Sequence, residues 1–476
     1  MSSMSRPQAL AAVPRVRRWL VALLALCPAV TFAQSSPAVS TVVAFSGSTV
    51  SATPTRGSDG ALYGATAVGS FITGGLIYRL QANGSAITTQ YQISPIDGNN
   101  PAGGLLLGSD GLLYGTTKFG SITEINSSGT VFRIATDGSG FTVLHRFKSY
   151  TENSLGDAVN EEGINPEAEL IEGPDGFLYG VTPVGGPNGT GVVFKVSRDG
   201  TSFSVLHAFG AVTVGSDGKK VVPVANPDGI GPAAPLLVGA DGYLYGTAAV
   251  GGANSSGTIF RLGLDGSGFE VLRTFPALPS STSTPGTNTE GAQPVAGLTD
   301  GKDGRLYGVA SFGGSIGYGT LFAFDPVGRV FTVLHNFDGS KGAQPTGELL
   351  LGLDGKLYGT TASGGTDSGG KSTLFGTIFS IARDGSGFTS LHSFGSKDGA
   401  YPTGQLLQLD ASTFIGMTPS GGKCGRGSVF QLSLTGAIVD GITNCGQKKD
   451  SGGGTTAPAL LLLLAAAAVA RRVWLH

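Results

Sequence analysis

The feature that most constrains this chain is a short segment that it repeats, and DGLLYGTT at 110–117 is one copy. Its central Leu-Tyr-Gly recurs in six places, with consecutive tyrosines 51 to 66 residues apart, at Tyr63, Tyr114, Tyr179, Tyr245, Tyr307 and Tyr358. A seventh, degenerate copy reads TFIGMT and has Ile415 in the tyrosine position. A regular repeat of this length indicates one stacked repeat architecture rather than several unrelated domains.

Each repeat divides into four short runs, which the third repeat shows as AELIEGPDG, FLYGVTPVGG, GVVFKVSRDG and FSVLHAF. These runs are rich in β-branched and aromatic residues and end in Gly or Asp-Gly, which indicates strands joined by tight turns. The 80 glycines follow no strict third-position period, so a collagen-like chain is excluded. The pattern predicts an all-β fold, a seven-bladed β-propeller of four-stranded antiparallel blades with about 51–66 residues per repeat. A β-solenoid is the alternative, although its coils are shorter and lack paired hairpin turns.

The loops of such a blade divide between two faces. Loops after the first and third strands are nearly identical Asp-Gly turns, whereas loops after the second strand vary between repeats. Loops after the fourth strand hold three long insertions in consecutive repeats, at about 148–165, 210–230 and 276–292. In an up-and-down blade the loops after strands two and four share a face, so the variation is predicted on one face. Loops on a rigid scaffold commonly carry binding sites, although drift in loop length would give the same pattern.

Two features are predicted to close the ring. The fourth-strand motif occurs eight times, and its first copy at 40–45 is expected to pair into the last blade and remove an open sheet edge. Cys424 and Cys445 are expected on the same side of the last blade, where a disulfide between them would fasten the end of the ring. Two free thiols are the alternative.

The repeats resemble those of bacterial GloVer (Gloeobacter–Verrucomicrobia) tandem-repeat surface proteins. The resemblance rests on the pattern DGxLYGxTxxGG…GTIFRLxxDGSGFxxLHxF, and it covers about residues 39–442. It implies an extracellular protein with a C-terminal anchor, and it implies no particular activity. The propeller domain is accordingly placed at 39–446.

Residues 1–33 have the pattern of a secretory signal peptide. Arginines precede the apolar run WLVALLALCPAV, and Thr31 and Ala33 precede the expected cut between Ala33 and Gln34. A retained membrane anchor is the alternative, although the apolar run is short for a span.

The C-terminus is predicted to be a sorting or anchoring segment. A Gly-rich hinge at 447–456 is followed at 457–476 by an apolar helix and an arginine cluster. This arrangement resembles the bacterial GlyGly-CTERM sorting tail, whose motif would here consist of Gly452, Gly453, Gly454, Arg471 and Arg472. The resemblance implies cleavage by a rhombosortase-like protease once the export machinery has delivered the chain. A plain tail anchor is the alternative, and only the termini are expected to contact a membrane.

Composition and repeat position exclude several classes of site. Without the two terminal segments the chain has 24 basic and 32 acidic residues and no basic stripe, so nucleic acid is not an expected partner. No cofactor motif is present. Each Asp-Gly turn offers one carboxylate, which is too few for calcium. The serine of GGSIG, Ser315, matches a nucleophile elbow by chance, because that elbow requires a strand-to-helix turn.

The repeated histidines and tyrosines are expected to be structural. Four histidines occupy one slot in four different blades, so a repeated hydrogen bond is expected rather than one shared metal ion, at His145, His207, His335 and His392. The Leu-Tyr-Gly tyrosines are expected in the core, with stacking on sugars as the alternative. No catalytic, cofactor-binding or metal-ligating residue is therefore predicted.

The sequence favours an exported, cell-surface or secreted protein that binds a glycan or protein ligand through its variable face without catalysis. A secreted propeller enzyme acting on polysaccharide, a hydrolase or a lyase, is the first alternative, and it requires acids that break the repeat and converge over the axis. Glu161, Glu162 and Glu167 are the off-pattern acids considered for that role, although a solvated loop explains them more simply. A purely structural envelope protein is the second alternative.

Overall fold

The computed structural model describes residues 36–45, 48–50, 52–68, 74–215, 220, 226–279, 286–367, 369–438 and 441–443. Every helix or strand element in those ranges is a β-strand. The predicted signal peptide (1–33), hinge (447–456) and sorting tail (457–476) lie outside them. Within the same ranges no helix is long and apolar enough to cross a membrane.

The strands form seven antiparallel sheets that follow one another along the chain, and each sheet is one blade of a seven-bladed β-propeller. Blade 1 contains β2 (Ser48–Val50), β3 (Thr55–Arg56), β4 (Leu62–Val68), β5 (Leu76–Leu80) and β6 (Ile87–Gln92). Blade 2 contains β7 (Leu106–Leu107), β8 (Leu113–Thr117), β9 (Thr130–Ile134) and β10 (Thr142–Arg146). Blade 3 contains β13 (Ile171–Glu172), β14 (Phe177–Thr182), β15 (Val192–Ser197) and β16 (Phe203–Ala208). A separate hairpin, β11 (Thr151–Glu152) and β12 (Ala158–Val159), lies between blades 2 and 3.

The remaining four blades follow the same plan. Blades 4 and 5 contain β17 (Leu237–Val238), β18 (Tyr243–Ala248), β19 (Thr258–Gly263) and β20 (Glu270–Thr274); and β21 (Thr299–Asp300), β22 (Leu306–Ala310), β23 (Thr320–Asp325) and β24 (Val330–Asn336). Blades 6 and 7 contain β25 (Ala343–Pro345), β26 (Leu350–Leu351), β27 (Lys356–Ser363), β28 (Thr377–Ala382) and β29 (Thr389–Ser393); and β30 (Thr403–Gln408), β31 (Thr413–Thr418), β32 (Ser428–Ser433), β1 (Ala38–Ala44) and β33 (Ile442–Thr443).

The ring is closed by the N-terminal strand, as the surplus strand motif predicts. β1 pairs antiparallel with β32, with Val39 opposite Leu432 and Ala44 opposite Ser428. β33 then adds to the outer edge of β1 in parallel. Blade 7 therefore combines both ends of the repeat region, and the pairing edge of β32 is covered.

The core lies between the blades. Seven main clusters of buried apolar side chains are present in the described ranges, and each one joins two neighbouring blades, including blades 7 and 1. The second and third strands are covered on both faces, so β8 is buried along its whole length. This explains why these strands have continuous rather than alternating apolar sequences.

The repeated motif is explained by one tyrosine and the residues that make room for it. In six blades the tyrosine is at most 2 % exposed, which confirms core packing rather than stacking on sugars. Its hydroxyl donates a hydrogen bond of 2.6–2.9 Å to the aspartate of the preceding Asp-Gly turn. The other oxygen of that aspartate accepts a backbone N–H two residues further on, as Asp110 does from Leu112. The motif thus links the turn to the core.

Two glycines of the motif are required by close packing. A Cβ atom on Gly108 would lie 2.6 Å from the ring of Tyr114, and one on Gly115 would lie 2.6 Å from the ring of Phe132. Equivalent contacts recur in the other blades that have the full motif. Both glycines therefore serve ring packing, while the glycine of the Asp-Gly turn, such as Gly111, has a positive φ of 81°.

Candidate functional site

The antiparallel order of the strands puts the loops after strands two and four on one face, which we call the variable face. The three long insertions emerge from this face between Phe147 and Gly163, between Phe209 and Gly229, and between Phe275 and Gly291. The three other connections of this kind have four residues each, as in the Gly-Ser-Lys-Asp between Phe394 and Gly399. The insertions are therefore additions to a connector that can be much shorter.

Each insertion is closed at its base by one asparagine side chain. The Asn160 amide donates to the carbonyl of Lys148 at 2.7 Å and accepts from the N–H of Gly163 at 2.7 Å. Asn226 joins Gly210 and Gly229 in the same way, and Asn288 joins Pro276 and Gly291. Because these hydrogen bonds join the first and last residues of each insertion, the inserted segment leaves the blade as a separate closed loop.

The four histidines lie on different blades, and three of them contact their own carboxylates. His145 Nε2 lies 3.1 Å from Glu162, His207 Nε2 lies 3.4 Å from Asp228, and His392 Nε2 lies 2.8 Å from Asp398. Arg273 fills the same slot in blade 4 and pairs with Glu290.

These slots also join neighbouring blades. The ring of His145 stacks on Phe203 of the next blade at 3.6 Å between centroids, and His207 and His335 stack equivalently on Phe269 and Phe388. Burial lowers the pKa of His145, His207 and His335, so their neutral forms are favoured. The expected repeated structural role is thus observed, with a ring stack in addition to the acid contact.

Neighbouring insertions contact each other, and the variable face carries exposed apolar side chains. Lys220 of the second insertion forms an ion pair with Asp157 of the first, and its side chain is only 8 % exposed. Exposed large apolar side chains of the variable-face loops are Ile96, Ile122, Ile125, Val214, Ile316 and Leu374. An apolar surface set among polar loops is a common feature of interaction sites.

The acids that the sequence suggested for catalysis are held in ion pairs. Glu161 pairs with Lys148 at 2.7 Å, Glu162 contacts His145 and Lys148, and Glu167 pairs with Lys118. Their assignment as the candidate catalytic acids stays a prediction. Ser315 lies in the loop between β22 and β23, where its N–H donates to Asn336, and a strand rather than a helix follows it.

Two other glutamates, which the sequence reasoning missed, lie on the inner segments of blades 3 and 6. The first strand of each blade is its inner edge, and inner strands of neighbouring blades contact each other, as β26 contacts β30. Ten residues before each motif tyrosine, or before Ile415, these inner segments place Thr53, Gly104, Glu169, Pro235, Gly297, Glu348 and Gln405. We call these seven residues the axial ring.

Contacts within the axial ring are consistent with side chains facing the central channel. The Glu169 carboxylate lies against Gly104 of the preceding blade, and that of Glu348 lies against Gly297. Gln405 Nε2 donates to Glu348 Oε1 at 2.9 Å. Glu169 belongs to blade 3 and Glu348 to blade 6, and the Glu169 charge contributes to the raised pKa of Glu348.

Both axial glutamates are half-buried, and the protein around them favours their protonated forms. Enclosure by protein raises the pKa of Glu169 to about 7. Enclosure, with the neighbouring Glu169 charge, raises the pKa of Glu348 to about 8. No Lys, Arg or His contacts either carboxylate in the described ranges. Within those ranges no group of three or more His, Cys, Asp or Glu side chains is arranged to hold a metal ion.

Cys424 lies in the loop between β31 and β32 of blade 7. Cys445 lies outside the described ranges, so the Cys424–Cys445 disulfide stays a prediction. The signal-cleavage residues and the sorting-motif residues also lie outside those ranges.

The strand arrangement and the loop lengths define a class of protein. It is a seven-bladed β-propeller that has tight Asp-Gly turns on one face and loops of variable length on the other. The chain belongs to the Gloeobacter/Verrucomicrobia repeat family, whose profile matches residues 29–226, 151–286 and 213–372. These matches together span more than half of the sequence and confirm the resemblance seen in the repeats. No curated protein matches the chain in sequence.

Solved propeller structures show distant similarity. An oligogalacturonate lyase in complex with manganese is 11 % identical, with 84 % of this chain and 96 % of that chain covered and a TM-score of 0.46. The GH74 xyloglucanase from Xanthomonas campestris is 15 % identical, with 80 % and 52 % covered and a TM-score of 0.47. A nidogen/laminin complex is 16 % identical, with 67 % and 90 % covered and a TM-score of 0.37. Similarity at this level says nothing about a shared activity.

Proposed function

We propose that this chain is an exported, non-catalytic binding protein that holds a glycan or protein ligand on its variable face. The observation that carries the proposal is that all three long insertions lie on one face. Each insertion is closed at its base by an asparagine, and an ion pair joins the first two. The apolar side chains Ile122 and Ile125, which are 53 % and 87 % exposed, lie in the second-strand loop of blade 2 on that face. Export rests on the N-terminal and C-terminal sequence patterns.

The insertions can be removed with a connector from the same chain. Replacing 148–162 by the Gly-Ser-Lys-Asp of 395–398 keeps Phe147 and Gly163 in place. It also supplies an aspartate where Glu162 contacts His145, as Asp398 contacts His392. The equivalent replacements are 210–228 and 276–290. We expect each variant to fold as a propeller, because the closed bases show that the insertions are not part of the blades.

The test is ligand capture on a glycan array and on a panel of surface-exposed envelope proteins, with the wells analysed for released fragments by mass spectrometry. We expect binding by residues 34–450, loss of binding in at least one insertion variant, and weaker binding by the double variant Ile122→Ser, Ile125→Ser. The matched control is Val327→Ser, Leu353→Ser, which changes two side chains 88 % and 78 % exposed in turns of the opposite face. Binding that survives all three replacements would contradict the proposal.

A polysaccharide hydrolase or lyase is a second candidate, because Glu169 and Glu348 are carboxylates that break the repeat at the same inner-segment position of two blades. Neutral and ionised carboxyls close together are the groups that glycosidic acid–base chemistry uses. This candidate predicts fragments from the parent protein and none from Glu169→Gln or Glu348→Gln. If the parent releases no fragments and binds nothing on the array or the panel, a structural role in the envelope becomes the better proposal.

A further inference from the structure

The way the ring is closed brings the chain into the propeller at one face. β1 begins at Ala38, which pairs with Ser433 at the end of β32, and it ends at Ala44, which pairs with Ser428 at the start of β32. Ser428 follows the second-strand loop of blade 7, so β1 runs toward the variable face. It starts at the face that holds the Asp-Gly turns, which we call the turn face.

The last strand leaves the propeller at the variable face. β33 pairs with β1 in parallel, with Thr443 beside Ala44, and it forms the outer edge of blade 7. Parallel strands run in the same direction, so Thr443 lies at the variable-face end of this blade. Cys424 lies in the second-strand loop of blade 7, so the predicted disulfide to Cys445 would hold the chain on this face as well.

Few residues separate this exit point from the apolar C-terminal segment. The thirteen residues 444–456 join Thr443 to the apolar residues 457–470, which Arg471 and Arg472 follow. Thirteen residues span at most about 45 Å when fully extended. A six-residue strand such as β31 is about 20 Å long, so the thickness of a blade is a large part of that reach. A membrane that holds the apolar segment would therefore lie nearer to the variable face than to the turn face.

We propose that the C-terminal segment holds the propeller with its variable face toward the membrane, so that the ligand of this face is a molecule attached to that membrane. The orientation follows from the strand directions and does not depend on what the face binds. Its consequence for the ligand rests on the proposed function. A ligand on the same membrane would be met at a raised effective concentration, because the tether keeps the binding face beside it.

The experiment compares two fluorescent labels on the chain 34–476 in lipid vesicles whose headgroups carry an acceptor dye. One label is on Ile125→Cys of the variable face and the other on Val327→Cys of the turn face, where the parent side chains are 87 % and 88 % exposed. Both chains also carry Cys424→Ser and Cys445→Ser, so that each has one label. We expect a larger loss of donor fluorescence from the label at position 125.

The two labelled positions are matched with respect to the tether. Ile125 is in blade 2 and Val327 in blade 5, and each of these blades is two blades away from blade 7 around the ring. A propeller that lies on its edge would therefore give equal losses. Leu374→Cys of the variable face and Leu353→Cys of the turn face, which share blade 6, repeat the test if a label disturbs folding.

A control moves the attachment to the other end of the propeller. A membrane-spanning segment is fused before residue 34 of a chain that ends at residue 450, and the larger loss should then come from Val327→Cys, because β1 begins at the turn face. Equal losses in the chain 34–476, a larger loss from its Val327→Cys label, or failure of this chain to float with the vesicles would overturn the proposal. Ligand capture is measured separately on residues 34–450, so failure of the proposed function can be told apart from a wrong orientation.

Discussion

The glycine of the repeat motif packs against the motif tyrosine, so replacing this glycine by alanine should destabilise the parent protein but not a variant that lacks the tyrosine ring. In blade 2 a Cβ atom on Gly108 would lie 2.6 Å from Cε2 of Tyr114 and 2.8 Å from Oδ1 of Asp110. The tyrosine is fully buried and its hydroxyl is hydrogen-bonded to Asp110 at 2.6 Å, so its ring cannot move aside. We therefore expect Gly108→Ala to destabilise the parent protein.

The magnitude follows from two opposing effects. Overpacking of this kind typically costs about 1–3 kcal/mol. Gly108 is not among the residues with positive φ, so alanine brings no backbone strain and stabilises by about 0.4–1 kcal/mol through the unfolded chain. In the background Asp110→Ala, Tyr114→Ile the clash is absent, and only the second effect remains. Gly108→Ala should then be neutral or stabilising. Its effect on the free energy of unfolding should therefore differ by about 1–3 kcal/mol between the parent and this background.

Blade 7 already shows this combination. Its degenerate motif has Leu409, Ala411 and Ile415 at the positions of Gly108, Asp110 and Tyr114, and Leu409 packs against the cluster that contains Ile415. The reciprocal change Ile415→Tyr should therefore destabilise alone, and less so together with Leu409→Gly and Ala411→Asp.

The assay is equilibrium unfolding in urea followed by circular dichroism, with stability taken from the midpoint at constant slope. The informative quantity is the difference between Gly108→Ala in the parent and in the double-substituted background. Equal destabilisation in both backgrounds would refute the reasoning, because it would mean that the glycine serves backbone conformation and not the tyrosine ring.

Three further predictions concern the ends of the chain and one blade interface. Protein recovered from an exporting host should begin at Gln34 by intact mass, and a retained N-terminus would contradict the signal-peptide assignment. Cys424 and Cys445 should resist alkylation until reduced, and labelling of both in the folded, unreduced protein would rule out the disulfide. Arg273→His should keep most of the free energy of unfolding measured in urea, because histidine fills the same slot in four other blades. Arg273→Ala should lower it by about 1–2 kcal/mol, because the ion pair with Glu290 and the stack on Phe331 are lost. Equal losses in the two variants would argue against a shared role for the slot.

The blade architecture could be predicted because the repeat supplies its evidence several times. A single run such as FLYGVT could be a strand in many folds, but six copies with the same turn chemistry leave few arrangements that bury both faces of every sheet. Closure by 40–45 followed from a strand motif in excess of the blade number, and the pairing of β1 with β32 confirms it. The hydrogen bond between Asp110 and Tyr114 was not predicted, because the Asp-Gly pair was explained by turn preference alone. The simultaneous loss of aspartate and tyrosine in blade 7 was the available signal.

The axial glutamates were missed for a different reason. AELIEGPDG was interpreted as the first strand of its repeat, and Glu169 and Glu348 were not compared with Gly104 and Gln405 at the same repeat position. Alignment on the motif tyrosine would have shown that this position varies, while the next position is leucine in every blade except the first, where it is Pro54. The residue type is expected to vary at this position even without a function. Seven identical side chains meeting at the axis would leave the space there either empty or overfilled. A departure from the repeat at the axis is therefore weaker evidence for catalysis than one on the variable face. What makes the two glutamates informative is their charge, since filling the channel requires bulk but gives no reason to place two acids there without a base.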